Sequence, residues 1–112
     1  MVQPVVMTQG TLLTAGTVTY YTSPTKTTTV VKKCTVTNTD GAGGHTFTIY
    51  KVPSGNSAGI ANVVIDAQTI GALQTMDVTE MINKVLAAGD TIQALADTGA
   101  LVNIQMDGVQ IA

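Results

Sequence analysis

The side chains able to do chemistry are few. His45 is the only histidine, Cys34 the only cysteine and Glu80 the only glutamate, and the aspartates are Asp40, Asp66, Asp77, Asp90, Asp97 and Asp107. A histidine acting as general base needs a nucleophile and an orienting acid close by in space. His45 follows Gly43-Gly44 at the start of a strand-like run and reads as a surface or strand-edge residue. A zinc centre needs more nitrogen and sulfur ligands than one histidine and one cysteine supply. No Asp-x-Asp-x-Asp-Gly spacing occurs, so a calcium loop of the EF-hand kind is not expected. Asp40, Asp90, Asp97 and Asp107 sit in turn contexts, where a short carboxylate bonds to its own backbone. Asp77 reads as a helix cap and Asp66 as an exposed strand residue. Gly41-Ala42-Gly43-Gly44 lies between two strand-like runs, without the helix start, Lys and Ser/Thr of a phosphate loop. Cys34 cannot form an intrachain disulfide, and within Lys33-Cys34-Thr35-Val36 it reads as a small buried hydrophobe. The expectation is a chain that is not an enzyme, with no catalytic, metal or cofactor residues.

The binding classes narrow in the same way. Charged residues make up 11% of the 112 residues, the net charge is −2, and the cations are Lys26, Lys32, Lys33, Lys51 and Lys84, with no arginine. Nucleic-acid binders carry a basic face with arginine for bidentate contacts, so direct nucleic-acid binding is disfavoured. Tryptophan is absent and the aromatics are Tyr20, Tyr21, Phe47 and Tyr50, few for a face that stacks sugars or bases. Of Tyr20 and Tyr21, neighbours in a strand, one ring is expected to point in and the other out. The remaining surface is rich in Thr, Ser, Asn, Gln and Gly, and packing it against other protein copies desolvates little charge. No apolar run reaches the roughly 20 residues of a membrane-spanning helix. The opening Met1–Met7 lacks the basic and long apolar regions of a signal peptide, which predicts synthesis in a cytoplasm without signal-peptide export.

The elements that position these residues read as strands. Thr and Val dominate, both β-branched and suited to a half-buried pleated surface. Turn signals recur at short intervals, as in a sandwich or barrel. The spacing predicts strands over 11–13, 17–22, 28–39, 45–52, 61–69, 73–78, 91–96 and 101–106, with 108–112 extending an edge. Cys34 and Val36 share one face of the 28–39 strand, and Phe47 and Ile49 one face of the next. The turn between these two strands predicts a hairpin. Asp77 with Glu80 resembles a capping box, and Met81, Ile82, Val85 and Leu86 recur at helical spacing. One short helix is therefore expected near 79–88, ended by Gly89. The fold class is all-β: an antiparallel sandwich of about seven or eight strands, either a jelly roll or Ig-like, with strand order open. Residues 11–112 form one domain, and residues 1–10 are an N-terminal arm or an edge strand. Val5, Val6 and Met7 are the candidate protein-contact residues, as part of that edge or as an arm adding a strand to a neighbouring subunit.

Three stretches carry a resemblance. Tyr21–Asp40 (YTSPTKTTTVVKKCTVTNTD), Tyr50-Lys51-Val52-Pro53-Ser54-Gly55 and Leu86–Ala94 (LAAGDTIQA) resemble a pattern in small virion proteins of tailed phages and prophages. The resemblance implies a β-sandwich on a phage particle, made in the host cytoplasm and located in the virion, with no catalytic residues to carry over. The leading function is a capsid decoration or cement protein stabilising the head shell. Its partners would be other virion proteins, above all the major capsid protein, with a homo-oligomer expected. A tail, neck or fibre component is the alternative, and a glycan-binding β-sandwich module the second.

Overall fold

The computed structural model describes residues 2–112, so Met1, first residue of the expected arm, lies outside the described residues. Among the described residues nine strands form: β1 (Val2–Leu12), β2 (Val18–Thr22), β3 (Thr28–Asn38), β4 (His45–Val52), β5 (Val63–Ile70), β6 (Thr75–Asp77), β7 (Val85–Leu86), β8 (Thr91–Ala96) and β9 (Val102–Ile111). One sheet has the order β1-β9-β3-β6, with β7 also on β3, and the other the order β2-β8-β4-β5. Every pairing is antiparallel. Leaving the short β7 aside, the chain passes from sheet to sheet after every strand except β4, which pairs with its successor β5. This is the strand order of a jelly roll, so it decides between the two sandwich topologies that the periodicity left open.

Alternation fills the space between the sheets. β8 buries Ile92, Ala94 and Ala96 while Thr91, Gln93 and Leu95 stay half-covered. β9 likewise buries Val102, Ile104, Met106 and Gly108. These side chains meet Val31, Cys34 and Val36 of β3 and Phe47 and Ile49 of β4 in one core. The outer face of the first sheet carries polar pairs beside valines such as Val30 and Val85. Thr37 and Thr75 share a hydroxyl hydrogen bond of 3.0 Å there, and Lys33 lies opposite Asp107, a favourable cross-strand pair.

Two expectations are corrected. The strands at 28–38 and 45–52 do not form a hairpin, since β3 and β4 lie in opposite sheets. Each has one apolar row, and such rows can be buried face to face as well as side by side. The 39–44 connection takes the first course, bridging sheets about 10 Å apart. The buried Asn38 side chain shapes this crossing. Its Nδ2 reaches the carbonyls of Gly43 (3.1 Å), Ile70 (3.3 Å) and Gly71 (3.1 Å), and its Oδ1 accepts from the Asp40 N–H at 2.9 Å.

The helix near 79–88 shrinks to a single 3-10 turn, Thr79–Met81, followed by β7. Its first-turn amides have no side-chain cap. Asp77 instead accepts from Thr35 Oγ1 at 3.4 Å, and Glu80 from Thr79 Oγ1. The free side of β3 takes over the backbone groups that a helix would pair internally. The Val78 N–H donates to Cys34 O, Asn83 N–H to Val31 O, and Val31 N–H to Lys84 O. Asn83 also has φ +68°, which ends helical winding. Val78, Met81 and Leu86 reach the core along this irregular path, while Ile82 and Val85 are exposed.

Smaller boundaries move as well. The first strand starts near residue 2 rather than 11. β9 runs to Ile111, and its 108–111 portion is an interior strand between β1 and β3.

Candidate functional site

β1 is where the candidate contact residues lie. It pairs with β9 on one side, and its other side is an edge of the sheet. The strand has eleven residues, none charged. Val5, Val6 and Met7 do not behave alike: Met7 is buried in the core, Val5 packs partly against it, and Val6 is 57% exposed. Val2 and Leu12 are also exposed. Thr8 Oγ1 donates to the Tyr20 carbonyl at 3.0 Å, stitching this edge to β2 of the opposite sheet. Residues 2–12 are thus an integral edge strand of the domain in the single chain. Pro4 and register shifts at Val6/Thr8 and Thr8/Thr11 interrupt the edge. Such interruptions are the devices that stop edges from stacking without limit.

A second cluster joins residues far apart in sequence. The His45 ring stands between two carboxylates, with Nε2 at 2.7 Å from Asp40 Oδ2 and Nδ1 at 3.0 Å from Asp97 Oδ1. These are the only ion pairs between side chains of the described residues. Asp40 sits on the β3–β4 crossing and Asp97 on the β8–β9 crossing. Asp40 Oδ1 also accepts the Ala42 N–H at 2.8 Å. That backbone bond, followed by the His45 contact, holds its carboxyl below the ordinary carboxylate range. The hydrogen bond to Asp40 raises the pKa of His45, and the Asp97 charge adds to this against the opposing effect of partial burial. Because the carboxylates engage different ring nitrogens, they do not converge on one point. Among the described residues no group of three or more His, Cys, Asp or Glu is placed to hold a metal ion.

The other singled-out residues have structural surroundings. Cys34 is buried on β3 opposite Met106. Burial, with a smaller push from Asp77, raises its thiol to about 12, so it is not ionised at neutral pH. Tyr21 OH shares a hydrogen bond with Thr29 Oγ1 (2.9 Å) and accepts one from Gln110 Nε2 (2.9 Å). Ser23 Oγ meets the same Thr29 hydroxyl at 3.0 Å. This network ties β2 of one sheet to β3 and β9 of the other. Tyr20 OH donates to the Leu12 carbonyl at 3.3 Å. Both tyrosines are therefore only half-exposed and tethered at their tips. Asp90 is a turn residue, accepting the Ser54 N–H with one oxygen and the Ala87 N–H with the other. Asp66 is exposed on β5.

Reading the sequence did not anticipate the His45 cluster. Asp97 lies 52 residues from His45 in the chain, and only the jelly-roll path brings the two crossings together. The sequence held no signal for it, because which strands lie in opposite sheets is not readable from their alternation.

No protein-family model matches the chain, and no curated protein matches it. Among solved structures it is similar to a chain in a structure of the Gx strain of infectious bursal disease virus, with a TM-score of 0.47 and 14% identity. The match covers 98% of this chain and 32% of the viral one, so this chain spans about a third of that protein's length. No helix among the described residues is long and apolar enough to cross a membrane.

Proposed function

We propose that this chain is a structural protein of a phage particle, acting as a capsid decoration or cement protein through protein–protein contact and not as an enzyme. The observation that carries the reading is the β1 edge: eleven uncharged residues with Val2, Val6 and Leu12 exposed, on a jelly-roll sandwich. A neighbouring strand can add to the open backbone groups of such an edge while the valines pack against it. Pro4 and the two bulges favour one fitted neighbour over open-ended stacking. The resemblance of residues 21–40, 50–55 and 86–94 to virion proteins of tailed phages supports the choice of a phage particle. Jelly rolls are used in capsid domains, an analogy at the level of fold. Low charge supports the same reading, because little must be desolvated when copies pack on a shell. The major capsid protein is the expected partner and a homo-oligomer the expected state. Each copy then adds buried area across joints between capsid subunits, and repetition makes modest single-site affinity sufficient.

The test is the copy number of the chain in purified particles, read by quantitative mass spectrometry. A number comparable to that of the major capsid protein supports decoration. A small ring's worth of copies moves the assignment to the neck or tail, and absence from particles overturns the virion reading. In parallel, Val6→Lys should break self-association in light scattering while leaving the thermal unfolding of the chain unchanged, because Val6 is exposed. An oligomer that survives Val6→Lys intact removes β1 as the contact.

A further inference from the structure

Four chain crossings lie at one end of the sandwich; the 39–44 crossing is hydrogen-bonded to two of the others, and His45 sits between its Asp40 and the Asp97 of the last crossing. The crossings are 13–17 (β1 to β2), 39–44 (β3 to β4), 71–74 (β5 to β6) and 97–101 (β8 to β9), and the Ala100 N–H donates to the Leu13 carbonyl at 3.1 Å. The Thr39 N–H and hydroxyl both donate to the Leu101 carbonyl, at 2.8 and 2.7 Å. The Leu73 N–H reaches Asp40 O at 3.3 Å, and the Asp97 N–H reaches Thr46 O at 3.0 Å. Leu73 and Ala100 hold positive φ values of 57° and 65°, conformations that cost a non-glycine residue free energy and persist only where neighbours enforce them.

A neutral imidazole has one N–H and one lone pair. Placed between two carboxylates, it would satisfy one and turn its lone pair toward the other. Only the imidazolium donates from both nitrogens; the Asp40 contact, at 2.7 Å, is of charge-assisted length, and the Asp97 contact, at 3.0 Å, is of ordinary hydrogen-bond length. The charged groups facing the ring are Asp40 from the 39–44 crossing and Asp97 from the 97–101 crossing. The 13–17 and 71–74 crossings have no ionisable side chain. We propose that His45 is a protonation-dependent clamp: its imidazolium ties the 39–44 crossing to the 97–101 crossing, and loss of the proton loosens this end of the sandwich while the sheets stay folded.

The direction follows from linkage. Partners that favour the charged ring add stability that is complete below the ordinary histidine range and disappears as pH rises through the ring's folded-state midpoint. Each unit by which that midpoint exceeds about 6.5 corresponds to about a tenfold change in local protection. The clamp does not depend on the virion assignment.

The test uses the full chain in solution. Ring-nitrogen NMR should show both nitrogens protonated at pH 6.5 and a titration midpoint above that of a free histidine. Amide-exchange protection factors over 39–44 and 97–101 should fall as pH passes the midpoint, while those of β3 and β9 hold. His45→Gln should abolish the step, and Asp97→Asn should lower the ring's midpoint without unfolding the chain. A ring that titrates at or below the free-histidine value, or crossings whose protection ignores the midpoint, overturns the proposal. Should His45→Gln fail to fold, the Asp97→Asn titration decides by itself.

Discussion

Gly108 gives the most exacting test of the sheet packing. It lies in β9 between Val5 of β1 and Val31 of β3. A Cβ built there would press on the Val30 carbonyl oxygen far inside van der Waals contact and come within 2.9 Å of Met7 Sδ. The methionine tip can turn away, but the carbonyl belongs to a central strand paired on both sides and cannot. Forcing one methyl into so rigid a site costs roughly 3 kcal/mol. Against this, alanine narrows the unfolded ensemble and returns roughly 0.5 kcal/mol. The expected net loss for Gly108→Ala is about 2.5 kcal/mol. With an unfolding entropy of about 2.1 cal/mol/K per residue over 112 residues, the midpoint temperature should fall by about 10 °C. Urea unfolding followed by circular dichroism measures the loss, with an unchanged slope showing that the same surface is exposed. Gly43→Ala is the control: nothing lies within 4 Å of its Cβ, and a change within about 0.5 kcal/mol is expected. If Gly108→Ala unfolds as the parent does, β1, β9 and β3 are not packed as closely as described, and the argument fails.

Two further substitutions probe the interior. Asn38→Ala removes the donor shared by three carbonyls at the sheet crossing and should cost roughly 2–3 kcal/mol in urea unfolding. Asn38→Asp, nearly identical in shape, should cost more because it sets oxygen against oxygen; a milder effect than alanine would contradict the bonding described. Cys34 should resist a disulfide reagent at pH 8 until the chain unfolds, since its thiol is raised to about 12. The same shift carries a sign: above about pH 9 an unfolded cysteine loses a proton that the folded one keeps. Stability should therefore fall as pH climbs toward 12, and Cys34→Ala should remove that part of the slope.

Period-two patterning made the strands legible, because each alternating residue set has one destination, the space between the sheets. Cys34, Val36, Phe47 and Ile49 are all in the core their spacing implied. Sheet membership was not legible in the same pattern. An apolar row says which face of a strand is buried, and says nothing about whether its neighbour in sequence lies beside it or across from it. Asn38 made that choice at the 39–44 crossing through four hydrogen bonds, and an asparagine before a glycine-rich turn looks the same in a hairpin. The 79–88 stretch misled for a related reason. Met81, Ile82, Val85 and Leu86 satisfy a helical period well enough, but the open side of β3 offered the backbone an alternative set of partners. Tertiary pairing won over a short segment with an Asn in the left-handed region.

The chemistry-bearing residues show the same division between local and long-range causes. Asp90 behaves as its turn context implied, because an aspartate bonding to nearby amides needs only local chain. Asp40 does this too, through Ala42, yet its second oxygen serves a partner that the fold delivers. His45 read as a strand-edge residue, and it does begin β4. Its role depends on a carboxylate supplied by the opposite crossing. In a chain with so few charges, a histidine between two carboxylates concentrates much of the protein's side-chain electrostatics at one end. The β1 edge, by contrast, has no charged side chain. An uncharged edge free to pair and a charged end that tightens as pH falls are separate properties of one sandwich, and the Val6→Lys and His45→Gln variants are expected to remove them one at a time.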